Sequence, residues 1–467
     1  MKPFVLKTEF KKLLADTLTP VSVYLRLRDK FPNSLLLESS DYHTNDNSYS
    51  YICCNPIASI EVCNETLSQR FPDGSYKEIP ITPETDVPAI IQSFAASFKS
   101  EKSTSFKFVT NGLFGYMSYD MVRYFEAISI TKKEGHLQIP DAHYAVYQNV
   151  IAINHFNNEA YLFSHAYENE NNLNELEQLL KAKNFAEYPF QKNGPVQSNL
   201  EDHAFKSLVK KCKEHCGRGD VFQIVPSKRF SQNFTGDEFN VYRALRSINP
   251  SPYLFYFDYG NFKIFGSSPE AQLVVKNGKA EIHPIAGTFK RTGNDERDAE
   301  LAKQLAEDTK ENREHVMLVD LARNDLSRHG RHVSVETFKE VQYFSHVIHL
   351  VSKVTANILR DTQTFQVVAD TFPAGTLSGA PKHKAMELLE KYENINRDFY
   401  GGAIGFMDFQ GNFNHAIIIR SFVSKNHCLH YQAGAGIVSD SNEEKELQEV
   451  YHKLGALTKA LDLAETF

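Results

Sequence analysis

The sequence predicts an α+β chain. Three observations carry that class. The first 165 residues break into short strand-like runs separated by Gly, Pro and Asn turns; YLFYFDYGNFKIFG, residues 253–266, has the apolar pattern of a hairpin; and helical periodicity fills residues 295–329 and returns from Glu443 to the C-terminal end.

In chain order, SLLLESSD (34–41) is a strand meeting a polar turn, TNGLFGYMSYDMVRYFE (110–126) a strand leading into a helix, and AVYQNVIAINH (145–155) a strand with partial alternation. Composition shifts between Ala166 and His203: NENNLNELEQLLKAKN is a solvent-facing helix and FAEYPFQKNGPVQSN reads as a linker. The main boundary is placed here, giving an N-terminal region 1–165, a charged helix and linker 166–200, and a region 201–467. Ser198 with Glu201 predicts a capping box for a helix running to about Cys216 and stopping at GRGD. Beyond it, VFQIVPSKRF (221–230) and the runs AIIIRSFVS and HCLHYQAGAGIVSD are strands.

Composition bounds the function. The 467 residues suffice for two or three domain-sized units or one large unit with a deep core. With 42% apolar residues, 23% charged residues and a net charge of −7, the chain is globular and a poor match for nucleic acid. No apolar stretch approaches the roughly 20 residues of a membrane span, and the N-terminal residues lack a signal-like apolar core, so a cytoplasmic protein is expected. The six cysteines are scattered; Cys212 and Cys216 extend an apolar helix face and read as buried thiols.

The strongest chemical signal is acidic. Glu311 and Glu314 in ENREH, and Glu446 and Glu449 in EKELQE, each share one helix face. Such pairs are ordinarily a solvated surface, but four carboxylates from two helices can also hold a hard divalent cation such as Mg2+. The turn Gly434-Ala435-Gly436 just ahead of the second pair brings bare backbone amides close to a ligand. In FPAGTLSGAPKHKAMELLE, Pro381 takes a first helical position, and Thr376 with the turn amides can bind an anion, as a plain helix cap also would. Arg420 ends an apolar run, where a charge is costly without a carboxylate partner. His349 lies in an apolar strand, where a lone histidine is more often a satisfied core residue; Glu270 follows a turn at a strand end and reads as a general acid or a helix N-terminal charge.

Taken in order, GSSPE, PIAGT, REHVMLVDLARND, VIHLVS, GTLSGAPK, YGGAIGF, AIIIRS and QAGAGIVSDS resemble the chorismate-utilising enzyme family, strongly over residues 200–460 and more weakly through LLLESSD and GLFGYMSYD. The resemblance is nearest to the anthranilate-forming members, which make anthranilate and pyruvate from chorismate and ammonia. It implies two large facing antiparallel β-sheets with surrounding helices. It implies Mg2+ held at Glu314 and Glu449, with Glu311 and Glu446 beside them, and chorismate bound at Gly287, Thr288, Tyr400, Arg420, Gly434, Ala435, Gly436 and Lys453. It makes Glu270 the acid that protonates the leaving 4-hydroxyl, His349 the base that removes the C2 proton, and Thr376 a support for the enolpyruvyl side.

Two positions choose within the family. Gln223 stands where water-using relatives place a lysine, and an amide is no general base at neutral pH. Ala286 stands where aminodeoxychorismate-forming relatives carry a nucleophilic lysine, so it cannot form their adduct. An aminodeoxychorismate-forming component is the alternative, and a non-catalytic tryptophan-binding subunit is the alternative of another class. Ser39, Pro252, Tyr253 and Leu254 resemble segments that bind tryptophan as a feedback inhibitor. The resemblance also implies a separate glutamine amidotransferase subunit that delivers ammonia.

Overall fold

The computed structural model describes residues 2–39, 48–100, 106–168, 171–182, 184–343 and 347–467, and for Thr288 and Lys310 the backbone only. Ser40 and Asp41 of the predicted strand-and-turn segment fall outside the described residues.

Two long strands organise the chain. Tyr49–Cys63 and Ala142–Asn154 pair antiparallel along almost their whole length, with a register shift between Pro56 and Ala58. One ladder runs from this pair through Leu35–Ser39, Tyr253–Asp258, Phe262–Ser268, Ser421–Lys425 and Cys428–Gly434 to Ser227–Gly236. The other runs through Gly112–Met117, Ala403–Asp408, Phe413–Ile417, Ala271–Lys276 and Lys279–Ile282 to Val347–Ile358. Every one of these pairings is antiparallel, so the chain has the α+β architecture of two large sheets.

Period-2 alternation decides which layer each side chain joins. In Tyr253–Asp258, Phe255 and Phe257 enter an apolar cluster shared with Phe114, Tyr116, Ile404 and Phe406 of the other ladder. Leu254 and Tyr256 turn the opposite way, against the helices Phe239–Ile248 and Glu443–Ala464. Leu113, Met117, Ala403 and Met407 likewise turn outward, beneath Val87–Ala96 and Thr364–Thr371. The inner faces of the two sheets therefore share one core, and the helices cover the outer faces.

Several local expectations are corrected. Phe190–Ser198 is not a linker but an edge strand paired with Ser227–Gly236. Ser198 ends that strand and turns its hydroxyl to the Leu200 carbonyl, so no capping box forms; Glu201 caps Asp202–Arg218 without a side-chain bond. The predicted stop holds, with Gly219 at φ 79°. The helical tract 295–329 is two helices, Asp295–Glu307 and Thr309–Ser327, broken where Asp308 is extended. AIIIRSFVS is two strands separated at Ile418–Arg420, and Pro381 is the extended cap of Lys382–Tyr392 rather than its first helical residue. Cys212 is buried and Cys216 half-buried, and burial pushes their thiols up to about 12 and about 11. Among the described residues no helix is long and apolar enough to cross a membrane.

Candidate active site

Glu270 stands at the loop before Ala271–Lys276, where the Ile417 amide donates to its carbonyl. Thr376, in the short turn Gly375–Ser378, donates to Glu270 Oε1 at 3.1 Å. Burial raises the Glu270 carboxyl to about 7, against the lowering effects of the Thr376 bond, Arg420 and Lys453. It is a carboxylic acid able to hold its proton near neutral pH.

Arg420 sits in the break between two strands, at φ 49°. A left-handed conformation at a non-glycine residue is unusual and collects at functional sites. Its guanidinium is pulled down by burial, offset by Glu270, and it forms no ion pair with a carboxylate of the described residues. A carboxylate supplied by a ligand would meet this cation.

His349 lies in Val347–Ile358, and its Nδ1 is 2.7 Å from the Gly287 carbonyl. A carbonyl only accepts, so Nδ1 carries the proton and the basic lone pair is on Nε2. Burial lowers the imidazole below its usual value, with Arg420 acting in the same direction. Gly287 is required where it stands: at φ 68°, an added Cβ would lie 2.6 Å from Leu305 and 3.3 Å from Glu311 Oε2. Thr288 follows in the same strand, and Ala286 is buried opposite Leu350.

The C-terminal glycine turn closes the site. Lys453 Nζ donates to the Gly434 carbonyl at 2.9 Å and pairs with Glu449 at 2.7 Å. A backbone bond at Gly434 reaches the hydroxyl of buried Tyr400. Gly436 packs against Gln223, where a Cβ would be 2.6 Å from Nε2. One expectation fails in this turn: the Ala435 amide is not bare but donates to the Pro226 carbonyl at 3.2 Å.

The glutamates fit a hard cation by their chemistry. Glu311 faces the Gly287 backbone, and Glu314 accepts from Gln223 Nε2 at 3.1 Å. Glu449 is held beside Gly434 by Lys453, and Glu446 is buried in the first turn of the same helix. Every donor is a carboxylate oxygen, the ligand type Mg2+ prefers, and Mg2+ needs only one or two of them. Among the described residues a tighter trio lies elsewhere, at Asp120, His136 and Asp398. It is a poor metal site. The Gln138 amide donates to His136 Nδ1 at 2.9 Å, which puts the imidazole proton on Nε2, 3.2 Å from Asp398. That nitrogen has no lone pair to offer, and Asp398 is already paired with Arg229 at 2.9 Å.

The residue that ties these segments together carries little signal in the sequence. Arg397, buried, pairs with Glu393 through Nε and Nη2 at 2.8 Å each, and donates to the Leu377 and Val225 carbonyls at 2.6 Å. Glu393 also accepts from the Ser227 amide and hydroxyl. One ion pair thus fixes the backbone beside Thr376, beside Gln223 and opposite Gly434. Its only sequence signal is opposite charge at i,i+4 in ENINR. Breaking such a pair costs about 3–5 kcal/mol.

Away from this cluster, Ser39, Pro252 and Tyr253 line a cavity of about 210 Å³ with Leu37, Tyr51 and Asn414. Leu254 does not line it; its side chain turns to the helix-covered face. Glu38, in the cavity wall, is anchored from behind by Arg246 at 2.9 Å and by the Tyr242 hydroxyl at 2.5 Å.

The profile of the chorismate binding enzyme family matches residues 42–459. The chain belongs to the chorismate-binding enzyme family. Within it, the chain is 36% identical to anthranilate synthase component 1 of Aquifex aeolicus, over 98% of this chain and 94% of that one. It is 35% identical to the Bacillus subtilis protein of the same name, over 96% and 91%. The crystal structure of anthranilate synthase component I from Streptococcus pneumoniae superposes with a TM-score of 0.77 at 32% identity, covering 96% of this chain and 98% of that one. The menaquinone-specific isochorismate synthase of Escherichia coli, at 16% identity and TM-score 0.73 over 99% and 96% of the two chains, shares the family fold.

Proposed function

We propose that this chain is the chorismate-binding component of an anthranilate synthase: it adds ammonia to C2 of chorismate, expels the 4-hydroxyl as water, and then eliminates pyruvate. The observation that carries the reading is the pairing of a protonated Glu270, at about 7, with a neutral His349 whose basic nitrogen is Nε2, both within the field of Arg420. A carboxylic acid that holds its proton near neutral pH and an imidazole kept from charging by burial are what the two half-reactions require.

In the first half, the C4–O bond breaks as ammonia attacks C2, and Glu270 gives its proton to the departing hydroxyl. Thr376 holds the carboxyl in place for that transfer. In the second half, His349 takes the C2 proton, the electron pair closes the aromatic ring, and the C3–O bond breaks to release pyruvate. Arg420, Lys453 and the Tyr400 hydroxyl bind the substrate anions, with Gly287, Thr288 and the Gly434–Gly436 backbone as the wall. Mg2+ at Glu314 and Glu449, with Glu311 and Glu446 beside them, would supply Lewis-acid polarisation of the ring carboxylate.

Ammonia comes from a separate glutamine amidotransferase subunit. Tryptophan occupies the cavity at Ser39, Pro252 and Tyr253 as inhibitor. Tyr253 pairs with Ser268, two residues before Glu270, which gives the two sites a shared strand pair. The aminodeoxychorismate alternative is disfavoured by Ala286, which offers no amine. The test is the whole chain with Mg2+, chorismate and ammonium: fluorescent anthranilate is expected, and its absence would sink the reading.

A further inference from the structure

Gln272 lies two residues beyond Glu270, in Ala271–Lys276, and is only 3% exposed. The orientation of its amide is fixed by its neighbour. The Thr371 hydroxyl lies 3.0 Å from the Val367 carbonyl and 3.2 Å from the Val368 carbonyl, so its proton goes to its own helix. The Thr371 oxygen therefore accepts, and the group 3.1 Å from it is Gln272 Nε2. Flipping the amide would set two acceptors against each other. Gln272 Oε1 is then left as a buried acceptor with no hydrogen-bond partner among the described residues. A buried acceptor without a donor keeps its desolvation cost uncompensated, and such groups call for an explanation.

Beside it lies a cavity of about 30 Å³, bounded by Glu270, Gln272, Asp325, Thr371 and Thr376. One water needs about 10–15 Å³ measured this way, so there is room for one or two small molecules. The lining offers little charge to favour a metal ion: Lys382 Nζ already pairs with Asp325 at 2.7 Å and donates to the Thr371 carbonyl at 3.1 Å, and burial favours the protonated form of Glu270. Leu318, Leu321 and Ala322 from Thr309–Ser327, with Pro284, supply the apolar part of the lining. The occupant has to be small, neutral and a donor.

We propose that this cavity binds one small neutral hydrogen-bond donor, ammonia or water, held by Gln272 Oε1 behind Glu270. The site stands on its own geometry; the ammonia case rests on the anthranilate synthase reading above. An ammonia molecule here would wait next to the reacting acid.

Two measurements on the full chain test it. A high-resolution crystal structure should show a density peak within hydrogen-bond distance of Gln272 Oε1, lost in Gln272→Leu; a wild-type cavity without a peak overturns the site. Kinetics then separate the sources. With ammonium chloride as nitrogen donor, Gln272→Leu should raise KM for ammonium about tenfold, the loss of one hydrogen bond, and leave KM for chorismate unchanged if ammonia is the occupant. An unchanged ammonium KM with the peak present assigns the site to water. If Gln272→Leu fails to fold, Gln272→Met, closer in length and flexibility, should likewise lose the peak; a peak retained there overturns the assignment to Oε1. Should the wild-type chain form no anthranilate, the functional reading falls, while the density still decides the site.

Discussion

The Thr376 hydroxyl lies 3.1 Å from Glu270 Oε1, and among the described residues it is the one side-chain hydrogen bond that holds back the rise in that carboxyl's pKa. Without it, burial alone would act on Glu270, offset only by the more distant Arg420 and Lys453. Thr376→Val should therefore move the Glu270 titration upward. The check is the pH profile of kcat with ammonium: the limb that reports Glu270 should shift to higher pH, and an unmoved limb would detach Thr376 from the acid.

Glu270 also makes stability depend on pH. Its folded value of about 7 is above the ordinary 4.5, so the folded chain binds the proton more tightly than the unfolded chain. The sign follows: this group favours folding below about 4.5, and that contribution is lost as pH rises through about 7. Glu270→Gln should gain stability relative to wild type between pH 5 and pH 8, by up to roughly 3 kcal/mol. Urea melts at the two pH values measure it, and a constant difference would refute the raised value. The same variant should lose about 10²–10⁴-fold in kcat.

His349→Met should stop the reaction between its halves. The C2-aminated compound that still carries its enolpyruvyl group should build up, because amination does not use His349. Mass analysis of the quenched reaction detects it. Undiminished anthranilate would take His349 out of the mechanism.

Glu314→Gln keeps the hydrogen-bond partner for Gln223 but removes the charge. Mg2+ binding measured by calorimetry should weaken about 10-fold or more, in the range seen when a ligand's surroundings are altered. Wild-type affinity would count against the assignment of that helix.

The chain contains no tryptophan. Bound tryptophan would therefore be the only indole in the sample, and its emission would report binding without background. A blue shift on titration is expected with wild type. Ser39→Phe, which fills the cavity of about 210 Å³, should abolish it. An equal shift in both proteins would place any tryptophan elsewhere.

The fold class and the polar residues at turns were legible in the sequence; the tertiary partners of those residues were not. Glu270, Thr376 and Arg420 sit at strand ends or turns, where a charged or polar side chain is a visible local signal, and His349 stands out as a polar residue in an apolar strand. The bare amide at Ala435 was misread, because its partner, the Pro226 carbonyl, is distant in sequence. Alternation fixes that Leu254 opposes Phe255, but which face meets the cavity depends on the partner ladder, and Leu254 faces the helices. Phe190–Ser198 has the Pro and Gly of a linker yet pairs as an edge strand, where those residues are tolerated. Arg397 carried almost no signal, since its carbonyl partners come from segments that only the tertiary fold brings together.

The pairing of Leu35–Ser39 with Tyr253–Asp258, and of Gly112–Met117 with Ala403–Asp408, has a consequence for biosynthesis. The early strands emerge from the ribosome long before their partners exist. Neither ladder can close on a nascent chain that stops at residue 200, and contacts so distant in sequence form slowly. Until Ala403–Asp408 is made, the apolar edge of Gly112–Met117 lacks its cover, so C-terminally truncated chains should aggregate or need a chaperone rather than accumulate as a folded N-terminal half.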